Sequence, residues 1–130
     1  MQLKEFVHLV KQRAGLETDE EALRIIRSTL LTFSERIQHT HADHLAHQLP
    51  KELRDIMLEH GAVYEALTLE EFFSRLGARS GLRYSQAVRQ GRAVLSVLSE
   101  AVAEGELEHI RAELPREFAE LLVAGVGAPA

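Results

Sequence analysis

Glu-Phe-Val-His-Leu-Val-Lys-Gln-Arg-Ala-Gly-Leu, residues 5–16, returns as Glu-Phe-Phe-Ser-Arg-Leu-Gly-Ala-Arg-Ser-Gly-Leu at residues 71–82. At this offset of 66, five of twelve pairs are identical: Glu5/Glu71, Phe6/Phe72, Arg13/Arg79, Gly15/Gly81 and Leu16/Leu82. From Ala22 to Met57 the offset becomes 65, and ten of 36 pairs are identical. They include Arg24/Arg89, Arg27/Arg92, Leu30/Leu95, Glu35/Glu100, His44/His109, Leu49/Leu114, Pro50/Pro115 and Glu52/Glu117. Unrelated segments of ordinary composition would share about three residues over the same span. The chain therefore reads as a duplication, with one residue lost between Leu16 and Ala22, where a loop between helices absorbs it.

The apolar pattern repeats with the letters. Ala22, Ile25, Ile26, Thr29, Leu30, Phe33 and Ile37 step by three and four, which marks one face of a helix. Ala87, Gln90, Gly91, Val94, Leu95, Leu98 and Val102 occupy the same steps in the second copy. Gly91 inside that stripe costs about 1 kcal/mol of helix propensity relative to Ala, so it points to a close helix crossing. Thr18 with Glu21 and Thr68 with Glu71 have capping-box spacing. Gly15 suits a left-handed helix end. Thr40 with Asp43 suits the start of a third helix, and Pro50 the first turn of a fourth.

These signals predict helices over 2–14, 18–37, 40–49 and 50–59. They recur over 69–79, 85–103, 106–113 and 115–123. No segment alternates as a strand does. The expected fold is all-α, a single domain over 1–124 made of two pseudo-symmetric four-helix repeats, 2–59 and 68–123. A loose tail is expected over 125–130.

The totals narrow the function. The chain has 130 residues, 45% hydrophobic and 27% charged, with no Cys and no Trp. One domain with a core is the default at this length. The lack of cysteine excludes disulfides, thiolate catalysis and Cys-type zinc sites. No apolar run spans a bilayer and no signal peptide precedes the first helix, which predicts a cytoplasmic protein with no membrane association. A formal charge of −5 argues against a generic nucleic-acid binder.

The order of motifs leads into His44-Leu45-Ala46-His47-Gln48-Leu49-Pro50-Lys51-Glu52-Leu53, answered by His109-Ile110-Arg111-Ala112-Glu113-Leu114-Pro115-Arg116-Glu117-Phe118. With the Glu-Phe helix, the Ala-Gly-Leu turn and the capped long helix, this resembles the bacterial family called Domain of Unknown Function 2267. The resemblance covers about 5–122. It implies a small two-copy helical protein and brings no activity, cofactor or catalytic residue.

Two groups of residues invite chemistry. His39, His41, His44 and His47 fall within nine residues, and His41, His44 and His47 are the candidate metal ligands, at spacings of three. Against a metal, His44 recurs as His109 while His41 and His47 become Glu106 and Ala112. The same cluster suits a pH response, since protonating all seven histidines moves the formal charge from −5 to +2. Arg24, Arg27, Arg89 and Arg92 recur on the second helix of each copy and form the candidate anion site. The favoured alternative pairs them with Glu52 or Glu117 to orient the fourth helix. No nucleophile elbow and no Gly-rich phosphate loop is present. The reading is of a non-enzymatic module binding another protein or itself, without a cofactor. An ion, pH or anion sensor is the alternative.

Overall fold

The computed structural model describes residues 1–59 and 63–123. Among them are eight helices and no strand: α1 Leu3–Ala14, α2 Asp19–Arg36, α3 His39–Ala46, α4 Lys51–Leu58, α5 Leu69–Ser80, α6 Tyr84–Ala101, α7 Glu104–Glu113 and α8 Arg116–Ala119. The tail expected over 125–130 lies outside the described residues.

Local chemistry sets the boundaries. Thr18 and Thr68 each accept from the amide three residues on, while the glutamate there bonds back, so α2 and α5 open on complete capping boxes. Gly15 and Gly81 end α1 and α5 at φ 67° and 71°, where a Cβ would be strained. Three expectations shift. α3 starts at His39 rather than on Thr40, because the Gln38 N–H that precedes it donates to Glu113 Oε1 of α7 at 2.9 Å. Pro50 and Pro115 sit one residue before their helices, with ψ near 150°. The last helix stops after one turn at Ala119, although the sequence pattern carries it to 123.

α2 and α6, 18 residues each, form the centre. α1 packs on both, and so does α5. α4 closes over α2, α3 lies against α4 and α7, and α8 follows against α7. All seven stripe positions of α2 with Ile37 are buried, as are all seven counterparts on α6 with Val102. One continuous core runs from Phe6 to Leu122. At its middle Phe33, Phe72 and Phe118 meet edge to face or tilted, with centroids 5.0–6.4 Å apart. Gly91 does mark a close crossing: a Cβ there would lie 2.6 Å from Leu76 Cδ2 and 3.1 Å from Phe73 Cε1.

Candidate functional site

An apolar cleft lies where α1 meets the first turns of α2. The Gly15 turn and the Thr18 cap bring α2 back alongside α1. Leu3 and Val7 from α1 and Leu23 from α2 then line a cleft of about 520 Å³, rimmed by Lys4, His8, Lys11 and Asp19. Lys11 Nζ bonds Asp19 across the rim at 3.0 Å. Leu23 is 42% exposed, a large aliphatic side chain held in water at the cleft's edge. A shallower depression lined by His8, Lys11, Gln12 and Leu16 continues along α1.

The corresponding place on α5 and α6 is built from Leu69, Phe73 and Val88 with Glu70, Tyr84, Arg92, Glu117 and Leu121. There the Phe73 and Tyr84 rings come within 6.4 Å and the cleft is about 330 Å³, with a shallower, more open depression of about 630 Å³ beside it lined by Arg83, Tyr84, Ser85 and Val88.

The histidines do not converge. His41 Nδ1 pairs with Glu113 Oε2 at 3.1 Å, and its ring stacks 6.3 Å from His109. His44 is exposed and stands 3.9 Å from Glu106. His47 Nδ1 lies 2.8 Å from the Asp43 carbonyl. The three candidate ligands thus face three different partners, and among the described residues no three His, Asp or Glu side chains are placed to hold a metal ion. Instead the structure gives a seam between α3 and α7, where Gln38 N–H donates to Glu113 and Ala103 N–H donates to Gln48 Oε1 at 2.7 Å.

The four arginines are also dispersed in their surroundings. Arg24 lines a small polar pocket with Glu21, Ser80 and Gln90. Arg27 donates from one guanidinium nitrogen to both carboxylate oxygens of Glu59, at 2.9 and 3.0 Å. Arg92 lies in the second cleft with Glu117, its Nε buried and without a hydrogen-bond partner, and Arg89 is exposed. The pair drawn for the fourth helix therefore forms with Glu59 rather than Glu52.

The arginines that matter most to the scaffold are others. Arg13 of α1 grips Glu100 of α6 at 2.7 and 2.8 Å and also Ser96. Arg79 of α5 grips Glu35 of α2 at 2.7 and 2.9 Å and also Thr32. Both arginines and both glutamates are identical across the offsets in the sequence, which was the signal available for finding them. Arg36 gave no such signal. It is 4% exposed, donates to the Leu67 carbonyl at 2.7 Å and to Tyr64 Oη at 3.3 Å, and lies over the Phe118 ring at 5.6 Å. It ties the stretch before α5 to the end of α2. Arg75 does the same work from α5, gripping Glu65, whose carboxyl it holds below the usual range.

A family model described as "Uncharacterized conserved protein (DUF2267)" matches residues 3–121. No curated protein matches the chain.

Proposed function

We propose, from the premise that the chain belongs to the DUF2267 family, that it is a non-enzymatic cytoplasmic interaction module which seats a helix of a partner protein in the α1–α2 cleft. The observation that carries this reading is the cleft itself, with aliphatic walls and Leu23 left in water. Burying apolar area of that kind is the ordinary source of helix-in-groove affinity.

The reading includes a duplicated scaffold. α1 and α5 have 12 residues each, and α2 and α6 have 18. Arg13–Glu100 and Arg79–Glu35 exchange between halves, and so do the Gln38–Glu113 and Ala103–Gln48 bonds. A frame cross-tied in this way holds the cleft in shape before a ligand arrives, which lowers the cost of binding.

Leu23→Glu tests the function. Quantitative mass spectrometry of proteins captured by the wild-type chain and by the variant should show a partner lost on substitution, with the variant's helicity unchanged. Identical captures would refute the proposal.

A second reading has its own observation. The α3–α7 seam places His41 between Glu113 and His109, with His44 facing Glu106. Protonated His41 would gain an ion pair, and a second proton on His109 would oppose it. Amide NMR shifts of α3 and α7 that stay fixed from neutral to mildly acidic pH would exclude a seam that responds to protons.

A further inference from the structure

We infer that the α1–α2 cleft is selective for an acidic amphipathic helix. This rests on the interaction reading above and adds the chemistry of the partner.

The first argument is charge. The molecule carries −5 overall, yet this cleft is rimmed by Lys4, Lys11 and His8 against the single carboxylate of Asp19. The other acids of the first turn of α2 do not cancel this. Glu21 is turned back onto Thr18 by its cap, and Glu20 is not among the lining residues. Asp19 is already held by Lys11. An incoming carboxylate can take Lys11 over, leaving Asp19 at the helix N-terminus, where a negative charge is favoured.

The second argument is the comparison between halves. The arginines and glutamates of the two inter-helix grips are matched at the offsets of 66 and 65. The basic rim is not. Lys4, His8 and Lys11 correspond to Glu70, Ser74 and Gly77, while Val7 and Asp19 correspond to Phe73 and Tyr84. In the second half aromatic rings occupy the space, and no lysine is present. The cation lining the second cleft is Arg92, in the company of Glu70 and Glu117, whereas the first cleft carries two lysines against one aspartate beside its apolar floor.

Size and symmetry narrow the occupant further. The cleft and its continuation run along α1 from Leu3 to Leu16. At 1.5 Å per residue that is roughly 20 Å, the length of a helix of three to four turns. A second copy using the same cleft about a two-fold axis would set lysine against lysine. The fitting ligand presents aliphatic side chains at i, i+3 or i+4 and i+7, with Asp or Glu on the flanks.

A displayed library of helical peptides, with random charge on the flanking positions, tests this on the full-length protein. Selection on the wild type, with Leu23→Glu as counter-selection, should enrich peptides of net negative charge. Those peptides should bind the Lys4→Glu/Lys11→Glu protein at least about tenfold more weakly, bind Asp19→Asn more tightly, and weaken as salt is raised. The milder Lys4→Gln/Lys11→Gln protein gives the same comparison if the reversal disturbs folding. Enrichment of Leu23-dependent peptides without acidic bias would overturn the inference and leave the interaction reading standing. Failure to enrich any Leu23-dependent peptide would overturn both.

Discussion

Replacing Gly77 by Ala should destabilise the protein, although helix propensity alone argues the opposite. Gly77 lies in the last turns of α5, where Ala would gain up to about 1 kcal/mol. A Cβ there would stand 2.9 Å from the Leu82 carbonyl oxygen, against 3.4 Å or more for ordinary contact, so the oxygen must retreat by about 0.5 Å. That oxygen belongs to backbone and cannot swing aside. Its residue is pinned: the Leu82 N–H donates to the Gly77 carbonyl at 3.0 Å, in the turn that ends α5. Overpacking costs about 1–3 kcal/mol, and weakening a cap bond adds about 0.5–1 kcal/mol. The net expectation is a loss of about 1–2 kcal/mol, or a Tm lower by about 3–8 °C in a chain of this size. Thermal and urea unfolding followed by circular dichroism at 222 nm measure it.

The first half supplies the control. Lys11 stands at the corresponding position and has a Cβ, beneath the same kind of turn, with Leu16 N–H on the Lys11 carbonyl at 2.9 Å. The difference is the loop. Gly15–Thr18 connects α1 to α2, and the shorter Gly81–Arg83 connects α5 to α6. The missing residue draws Leu82 down onto α5. Inserting a glutamate between Leu82 and Arg83 should therefore reduce the penalty of Gly77→Ala to under about 0.5 kcal/mol. A Gly77→Ala protein that melts higher than wild type, or a penalty unchanged by the insertion, would refute this reasoning.

Double-mutant cycles on Arg13/Glu100 and on Arg79/Glu35 should each return a coupling of about 1–2 kcal/mol, above the usual surface pair, because each arginine engages both carboxylate oxygens and a neighbouring hydroxyl and both pairs are partly buried. Coupling below about 0.3 kcal/mol in urea unfolding would remove them as cross-ties. Arg36→Lys should lower stability by about 1–2 kcal/mol, since an ammonium cannot lie flat on Phe118 while serving both the Leu67 carbonyl and Tyr64; an unchanged urea midpoint would count against that account. Acid should weaken the fold. The side-chain and backbone bonds to Thr18 lower the pKa of Glu21, those to Thr68 lower that of Glu71, and Arg75 lowers that of Glu65. Folded values below the unfolded ones mean stability that is present above the ordinary carboxylate value near 4.5 and is lost as pH falls through the lowered values. Urea midpoints should fall in that window, and less steeply in Glu65→Gln/Glu71→Gln; equal slopes would exclude Glu65 and Glu71 as contributors.

The helical architecture was legible because helix signals are local. A capping box needs four adjacent residues, a left-handed glycine needs one, and the buried stripe of α2 is written in its own spacing. Pairings between helices are another matter. Identity at the offsets marked Arg13, Arg79, Glu35 and Glu100, but nothing in the spacing said that Arg13 crosses to Glu100 and Arg79 to Glu35. Likewise, Thr40 had the letters of a cap, yet a glutamate 75 positions away determines where α3 begins. Arg36 was invisible because its second-half counterpart is Ala101.

The same limit explains why the cleft had to be seen. Leu3, Val7 and Leu23 sit on two helices and look, in sequence, like parts of two ordinary apolar faces. Their meeting depends on the angle set by the Gly15–Thr18 loop, which is one residue longer than its counterpart. That residue has a double consequence: it frees the α1 position that must be glycine in α5, and a lysine occupies it. The extra loop residue and the basic rim are therefore linked, because Lys11 fits beneath the longer turn and a side chain at Gly77 would strike the shorter one. Shortening the first loop by one residue should press on Lys11 as the second loop presses on a Cβ at 77, and so disturb the rim together with the apolar floor whose two helices that loop sets.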